Sequence, residues 1–324
     1  MKKVAILDTS VATFNKGDEI IMESARDVIK DITKGCFVVT LPTHTPAFHW
    51  YETITDLKFN NRSKEIHEID LKFVCGTNLL STNMFGPMTT WNINIFNKKP
   101  LQNSILLGVG CGVNSKKINY YTKKLYKSIL SKDYMHSVRD ERTRHMLEDM
   151  GFHAINTGCA TLWSLTPEWC SQIESRKSDK VVFTLTDYKK DLKNDQKLIN
   201  ILKKNYKEVY FWPQGMEDYA YFTKFENING IEIVTPSVEQ FSELLNSDID
   251  YIGTRLHAGI YAMKHKKRSI ILIVDHRARE MNKSYNLNCL ERDNIDDLHQ
   301  MINSNFVTNP NINIEDIKKW KSQF

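Results

Sequence analysis

Residues 251–275, "YIGTRLHAGIYAMKHKKRSIILIVD", indicate the fold of this chain. The stretch begins with a short apolar run, continues through the helix-like "AGIYAM" and ends in a second apolar run, "SIILIVD". A strand, a helix and a second strand in this order are typical of a parallel α/β sheet. Ligands of open α/β sheets bind where a strand ends and the next helix begins. Arg255 and His257 stand at that junction, and an arginine there favours an anionic ligand.

The same alternation of strand and helix patterns runs along the whole chain. The strand pattern of "KKVAILDT" is followed by "GDEIIMESARDVIKDI", whose apolar residues recur with a period close to 3.6. After the polar segment "TPEWCSQIESRKSDK", the alternation restarts at "VVFTLT". We therefore predict two doubly wound, Rossmann-like α/β domains with parallel sheets, residues 1–175 and 176–324.

Composition and charge indicate which kinds of ligand or partner the protein binds. The 324 residues are 41% hydrophobic and 26% charged, as in ordinary globular proteins. The net charge of +5, from 44 basic and 39 acidic residues, suits anionic ligands or an anionic membrane surface. The sequence contains no zinc-finger spacing, no RNP-like aromatic signature and no strongly basic helix, so we expect no nucleic-acid partner.

Cysteine usage and hydropathy predict the cellular compartment. The six cysteines form no CxxC pair, which argues against a disulfide framework and against a zinc site, so no metal is expected. The start, "MKKVAILDTS", has only a short apolar run, and no apolar segment reaches 18 residues. We therefore expect a cytoplasmic protein without a signal peptide or membrane-spanning helix.

Two further junctions between strand and helix carry candidate site residues. In "FNKGDE", Gly17 would let the backbone approach a ligand, whereas Asp18 either acts in the site or only complements the helix macrodipole. In "SVRDERTRHML", Arg139 offers a planar guanidinium to a carboxylate or phosphate, and Asp140 and Glu141 follow it. The arginines later in that helix are better explained by a surface ion-pair face.

Three other features allow simpler explanations. The glycines of "LGVGCG" are spaced G-x-G-x-G, which does not favour a dinucleotide site. The tryptophans Trp50, Trp91 and Trp212 either stack on sugar rings or lie in the core. The basic run "HKKRS", residues 265–269, is predicted to be a solvated helix end.

Four motifs in a fixed order resemble the polysaccharide pyruvyl transferase family. They are "NKGDE" at 15–19, "VCGTN" at 74–78, "SVRDERT" at 137–143 and "GTRLHAG" at 253–259. The resemblance extends over nearly the whole chain, and the pairing of RDE with RLHA is its specific part. It implies a fold like that of GT-B glycosyltransferases, with two Rossmann-like domains facing a cleft. It also implies transfer of pyruvate from phosphoenolpyruvate to a sugar as a ketal.

The resemblance also implies roles for individual residues. Donor binding falls on Arg139 in the first domain and on Arg255 and Leu256 in the second. Proton transfer or stabilisation of the departing phosphate falls on His257, because imidazole groups generally titrate near neutrality. Further substrate-binding positions are Gly17, Gly76 and Asn78. Candidates for the general base are Asp18, Asp140 and Glu141, and the sequence does not choose among them.

The implied partners are phosphoenolpyruvate, as a substrate rather than a cofactor, and a sugar acceptor. The sequence leaves open whether that acceptor is lipid-linked or a nucleotide sugar. A lipid-linked acceptor would bring the enzyme to the inner face of the cytoplasmic membrane, where the basic excess predicts weak contact. Two rival functions remain: a nucleotide-sugar-dependent GT-B glycosyltransferase, in which Asp275 would bind ribose, and a non-catalytic anion-binding protein.

Overall fold

The computed structural model describes residues 1–54, 62–86, 89–112 and 117–324, which form two compact units. Unit 1 comprises Met1–Thr13, Ile21–Trp163 and Asn313–Phe324. Unit 2 comprises Phe14–Ile20 and Ser164–Ile312. The sequence-based boundary at about residue 175 therefore lies inside unit 2, and each unit also includes a segment from the other end of the chain.

Unit 1 is built on parallel strands in the order β2-β1-β3-β4, with a separate parallel pair, β5-β6. Its strands are β1 (Lys3–Asp8), β2 (Phe37–Pro42), β3 (Leu71–Cys75), β4 (Ser104–Leu107), β5 (His136–Val138) and β6 (Ala154–Asn156). A single parallel bridge between Val109 and Val138 links the two groups of strands. The apolar run of β3 is buried at every position, as expected for a strand covered on both faces.

Six helices of the described residues accompany these strands, and at least two of them begin at capping side chains. They are α1 (Lys16–Val28), α2 (Lys30–Thr33), α3 (Trp50–Ile54), α4 (Arg62–His67), α5 (Tyr120–Ile129) and α6 (Glu141–Glu148). The side chains of Asn119 and Asp140 accept hydrogen bonds from the first turns of α5 and α6. Gly151, just beyond α6, has a φ of 87°, a conformation that glycine adopts at little cost.

Unit 2 contains six parallel strands in the order β12-β11-β10-β7-β8-β9. They are β7 (Lys180–Thr184), β8 (Glu208–Phe211), β9 (Ile231–Ile233), β10 (Asp250–Gly253), β11 (Ser269–Ile273) and β12 (Cys289–Glu291). This is the strand order of the Rossmann fold, in which the direction of winding reverses between the first and fourth strands. Here that reversal lies between β7 and β10, and it marks the carboxyl edge at which ligands bind.

Short connections and capped helices complete unit 2. The helices are α7 (Pro167–Cys170), α8 (Leu192–Asn205), α9 (Asp218–Phe222), α10 (Val238–Leu244), α11 (Leu256–Lys264), α12 (His276–Tyr285) and α13 (Leu298–Asn303). A final helix, α14 (Ile314–Lys321), belongs to unit 1. The Ser237 hydroxyl accepts a hydrogen bond from Gln240 N–H and so fixes the start of α10.

The prediction of a solvated basic run at 265–269 is wrong for Arg268. Its side chain is buried, and Nη1 lies 2.8 Å from Asp250 Oδ2. Nη2 donates to three backbone carbonyls, including that of Ile302 over 2.8 Å. The sequence pattern missed this because the acidic partner stands eighteen positions away, at the start of β10.

Candidate functional site

Arg255 lies where the strand order of unit 2 reverses. It follows β10 as the N-cap residue of α11. Its N–H donates to the Thr184 hydroxyl over 3.2 Å, and the Tyr251 hydroxyl donates to its carbonyl over 2.8 Å. Only 4% of the residue surface is exposed. The end of the sheet therefore fixes the Arg255 backbone before any ligand binds.

Two carboxylates hold the Arg255 guanidinium. Nε lies 3.0 Å from Asp218 Oδ2 and Nη2 bonds to Asp218 Oδ1, a bidentate arrangement. Nη2 also donates to Asp187 Oδ1 over 2.9 Å. Burial raises the pKa of Asp218, and the facing guanidinium opposes that shift. Arg255 is thus held in one orientation, with its charge compensated.

The loop after β8 brings the NKGDE motif to the same edge. A Cβ at Gly215 would overlap Nη2 of Arg255, so the close approach requires glycine there. Gly215 pairs with Asn15 in an antiparallel bridge, and Gln214 Nε2 donates to Asn15 Oδ1 over 2.7 Å. A Cβ at Gly17 would overlap that same amide of Gln214. Gly17 therefore serves close backbone packing beside Arg255.

Asp18 lies in a different unit from the one that the sequence boundary predicts. Like Gly17, it falls in the segment assigned to unit 2, although the sequence boundary placed both in the first domain. Its side chain is buried, and its charge acts on Arg277. The cause is the pairing of the start of α1 with the loop after β8, which periodicity along the chain does not reveal.

A tyrosine ring lies between two guanidinium groups in unit 2. The Tyr188 ring centroid is 5.1 Å from Cζ of Arg255 and 6.0 Å from Cζ of Arg277. Arg277 Nη2 donates to the Tyr188 hydroxyl over 2.6 Å and to Asp275 Oδ2 over 2.9 Å. Burial acts to raise the pKa of Asp275, but Arg277 and the Ala278 N–H outweigh it and lower that pKa below its usual value.

The first turn of α11 presents Leu256 and His257. The hydrogen bond from Gly259 N–H to the Arg255 carbonyl, 3.2 Å long, closes the first turn, so the N–H groups of Leu256 and His257 precede it. Such N–H groups favour anions. His257 is buried, with 8% of its surface exposed. An imidazole and an oriented guanidinium therefore stand at the amino end of one helix.

In unit 1, Arg139 is the centre of a second group. It follows β5, and its N–H donates to the Val109 carbonyl over 3.2 Å. Its Nη2 donates to Asn78 Oδ1, and its Nε is 3.8 Å from Asp140 Oδ2. A Cβ at Gly110 would overlap this guanidinium. Arg139 is as buried as Arg255, with 7% of its surface exposed, and one of its partners is a neutral amide.

The residues that follow Arg139 along the chain have structural roles. Asp140 caps α6, since its Oδ1 accepts from the Thr143 N–H over 2.8 Å. Glu141 is exposed and accepts from Arg144 Nε over 2.7 Å, which matches the predicted surface ion-pair face. A Cβ at Gly76 would come within 2.9 Å of the Gly108 carbonyl oxygen, so this position also needs glycine.

The structure divides the candidate residues into two groups and adds members that the sequence did not indicate. Unit 2 holds Gly17, Asp18, Arg255, Leu256 and His257; unit 1 holds Gly76, Asn78, Arg139, Asp140 and Glu141. The added members of the unit 2 group are Asp187, Tyr188, Asp218 and Arg277. Each follows the carboxyl end of a predicted strand, and that shared position was the available signal.

Two of the three tryptophans considered above lie in the core, and sugar stacking by the third, Trp50, stays a prediction. Trp91 and Trp212 are buried, with 1% and 0% exposure, whereas Trp50 is 62% exposed. Trp212 stacks on Phe241 with a centroid separation of 4.0 Å, which identifies it as a core residue. Of these three tryptophans, Trp50 is the one that is exposed to a partner.

Comparison with known protein families identifies the family of this chain. A family model described as polysaccharide pyruvyl transferase matches residues 15–276. The chain belongs to this family. The match includes all four motifs quoted above, and membership identifies a transferase of polysaccharide biosynthesis. No curated protein matched the chain.

Solved structures show the fold. A Methanocaldococcus jannaschii UDP-GlcNAc 2-epimerase, in complex with UDP-GlcNAc and UDP, is similar with a TM-score of 0.52 and 16% identity, covering 100% of this chain and 99% of the other. The S. aureus MnaA–UDP co-structure is similar with a TM-score of 0.54 and 11% identity, covering 98% and 95% of the two chains. The chain therefore has a GT-B-type α/β fold with parallel sheets.

Within the residues that the structure describes, no three His, Cys, Asp or Glu side chains are grouped so that they could hold a metal ion. No helix in the same part of the chain has the length and hydropathy needed to cross a bilayer.

Proposed function

We propose that this protein transfers pyruvate from phosphoenolpyruvate to two hydroxyl groups of a sugar in a surface polysaccharide or its precursor, forming a cyclic ketal. Membership of the polysaccharide pyruvyl transferase family supports the reaction class. The observation that carries the proposal is the position of Arg255 and His257 at the carboxyl edge of unit 2, where the strand order reverses.

Donor binding is assigned to Arg255 and the first turn of α11. Asp218 and Asp187 fix the guanidinium, so little orientational freedom is lost when an anion binds. Their negative charge also weakens the attraction of Arg255 for a dianion. The N–H groups of Leu256 and His257 supply further donors at the same helix end. In unit 1, Arg139 with Asn78 is proposed as a second anion-binding group.

The proposed chemistry needs one acid and one base. His257 protonates the methylene carbon of phosphoenolpyruvate, which gives cationic character to the central carbon. The first sugar hydroxyl adds there and gives its proton to the base. The second hydroxyl then displaces phosphate, which leaves with the second proton, and the ketal ring closes. We assign the base to Asp18, because it is buried in the same unit as His257, whereas Asp140 caps α6 and Glu141 pairs with Arg144.

Ligand-induced stabilisation tests this assignment against its rivals. Phosphoenolpyruvate is expected to raise the melting temperature, by an amount that grows with the logarithm of its concentration above Kd, and UDP- or GDP-sugars are not. A shift with a nucleotide sugar and none with phosphoenolpyruvate would instead identify a nucleotide-sugar glycosyltransferase. The His257→Gln variant separates binding from catalysis: donor binding is retained, while turnover falls on the order of a hundredfold or more. A non-catalytic anion-binding protein would bind the donor and turn over none of it.

A further inference from the structure

Residues 71–132 have an unusual distribution of charge. These 62 residues contain nine lysines and no aspartate, glutamate or arginine, although the whole chain has 39 acidic residues. The rest of the chain therefore has more acidic than basic side chains. The segment runs from β3 to just beyond α5 and lies wholly in unit 1. Such an asymmetry creates a local positive field that the net charge of +5 understates.

The lysines of α5 share the solvent face of that helix with an aromatic residue. Tyr120, Lys124 and Lys127 recur at the i, i+4 and i+7 positions and are exposed. Leu125 and Ile129, on the opposite side, are fully buried. Lys124 Nζ lies 5.0 Å from the Tyr120 ring centroid. The helix therefore turns a basic and aromatic stripe outward.

Large aromatic side chains are exposed in the neighbouring segments. Phe85 is 73% exposed, Phe96 is 54% exposed and Tyr120 is 74% exposed. Trp50, in α3, adds a fourth ring at 62% exposure. Single exposed apolar residues are ordinary, but a group of large rings marks an interaction surface.

Direct contacts tie these segments to α5. The Phe85 ring lies edge-on to that of Tyr121, with centroids 5.4 Å apart. Lys98 Nζ donates to the Ser128 hydroxyl over 2.8 Å. These contacts place Phe85 and Lys98 beside the basic stripe.

Thr53 completes the connection to α3. Its hydroxyl bonds to the Trp50 carbonyl over 3.0 Å and to the Phe96 carbonyl. These contacts link the segments of unit 1 that carry four exposed rings and four lysines. We call these side chains the aromatic–basic surface: Trp50, Phe85, Phe96, Tyr120, Lys98, Lys99, Lys124 and Lys127.

We propose that the aromatic–basic surface binds the interface of an anionic phospholipid bilayer. Lysines near an anionic bilayer are attracted to its surface, and large aromatic rings prefer the headgroup boundary. A soluble polyanion without sugar rings would use the lysines but gain little from exposed apolar rings. The combination of both residue types therefore favours a bilayer interface, and the ring variant below distinguishes it from a soluble polyanion.

Vesicle co-sedimentation tests the charge component without any assay of transfer. At physiological ionic strength, the full chain is expected to bind phosphatidylcholine vesicles that contain phosphatidylglycerol and not those of phosphatidylcholine alone. The Lys124→Glu/Lys127→Glu variant should bind about thirtyfold more weakly or worse. The matched control is Lys193→Glu/Lys204→Glu, which changes two exposed lysines of α8 by the same charge and should bind within about threefold of the original protein. Equal losses in both variants would show that only net charge matters and would overturn the assignment.

A second variant tests the rings. Trp50→Ser/Phe85→Ser retains every lysine and should bind the same anionic vesicles several-fold more weakly, with unchanged binding to soluble dextran sulfate. Unchanged vesicle binding by this variant would overturn the bilayer proposal in favour of a soluble polyanion. Failure of the original protein to bind anionic vesicles even at about 50 mM salt would also overturn it, because screening is weak there. Circular dichroism and melting curves confirm that each variant is folded.

Discussion

The two arginines of the candidate site are equally buried but differ in what holds them. Arg255, in unit 2, is paired with the carboxylates of Asp218 and Asp187. Arg139, in unit 1, bonds to the neutral amide of Asn78 and lies 3.8 Å from the Asp140 carboxylate. A guanidinium paired with two carboxylates is oriented and its charge is compensated, whereas a hydrogen bond to an amide orients a guanidinium without adding a compensating charge. Similar strand-to-helix junctions therefore need not bind a ligand in the same way.

The largest expected effect is the loss of stability when Arg255 is replaced, which should exceed the loss when Arg139 is replaced. Replacement of Arg255 by alanine leaves the fully buried Asp218 without its cation and should lower the free energy of unfolding by about 3–5 kcal/mol. Urea denaturation measures this loss. The double variant Arg255→Met/Asp218→Leu removes both charges and should recover part of the stability, because the N–H groups of Gly215 and Asp187 then lose the carboxylate that accepts from them. If the single variant loses less than about 1 kcal/mol, the pair is not the anchor described here.

The next largest expected effect is a loss of stability at acidic pH, and it arises from His136 in unit 1. His136 is fully buried; its Nδ1 accepts from the Leu106 N–H over 3.2 Å and its Nε2 donates to the Ser131 carbonyl over 2.9 Å. Burial lowers the pKa of His136 to about 4. Between pH of about 6.5 and 4 the unfolded chain binds a proton that the native state does not. The contribution of neutral His136 to the free energy of unfolding is therefore complete above pH 6.5, and about 3 kcal/mol of it is lost by pH 4.

Denaturation at a series of pH values tests this assignment. His136→Gln should lower stability at neutral pH, because it alters a buried hydrogen-bonded side chain, and should flatten the pH dependence between 6.5 and 4. An unchanged slope in the variant would show that other groups cause the acid sensitivity.

A smaller effect is expected for Arg139. Its replacement by alanine removes contacts to the partly exposed Asn78 amide and to the Asp140 carboxylate, so the expected loss of stability is about 1–2 kcal/mol. The surface arginine Arg144 is the matched control, and its replacement by alanine should cost less than about 1 kcal/mol. A loss for Arg139→Ala as large as that for Arg255→Ala would erase the contrast between the two units.

Sequence patterns predicted the parallel strands and the junctions that carry Arg139 and Arg255, because periodicity and apolar runs are local properties. They did not reveal Asp187 and Asp218, since these partners of Arg255 stand 68 and 37 positions away along the chain. Nor did they predict that Gly17 and Asp18 belong to unit 2. Such contacts follow from the order of strands in the sheet, which local periodicity does not encode.

The most direct test of the proposed function is a transfer assay with phosphoenolpyruvate labelled in its carbon skeleton. The purified protein is incubated with a panel of candidate glycans, and mass spectrometry and phosphate release are measured together. We predict that one acceptor gains the labelled three-carbon unit as an acid-labile ketal, with one phosphate released per transfer, and that His257→Gln slows both on the order of a hundredfold or more. Transfer of a sugar from a nucleotide donor, with no label incorporated from phosphoenolpyruvate, would contradict the account.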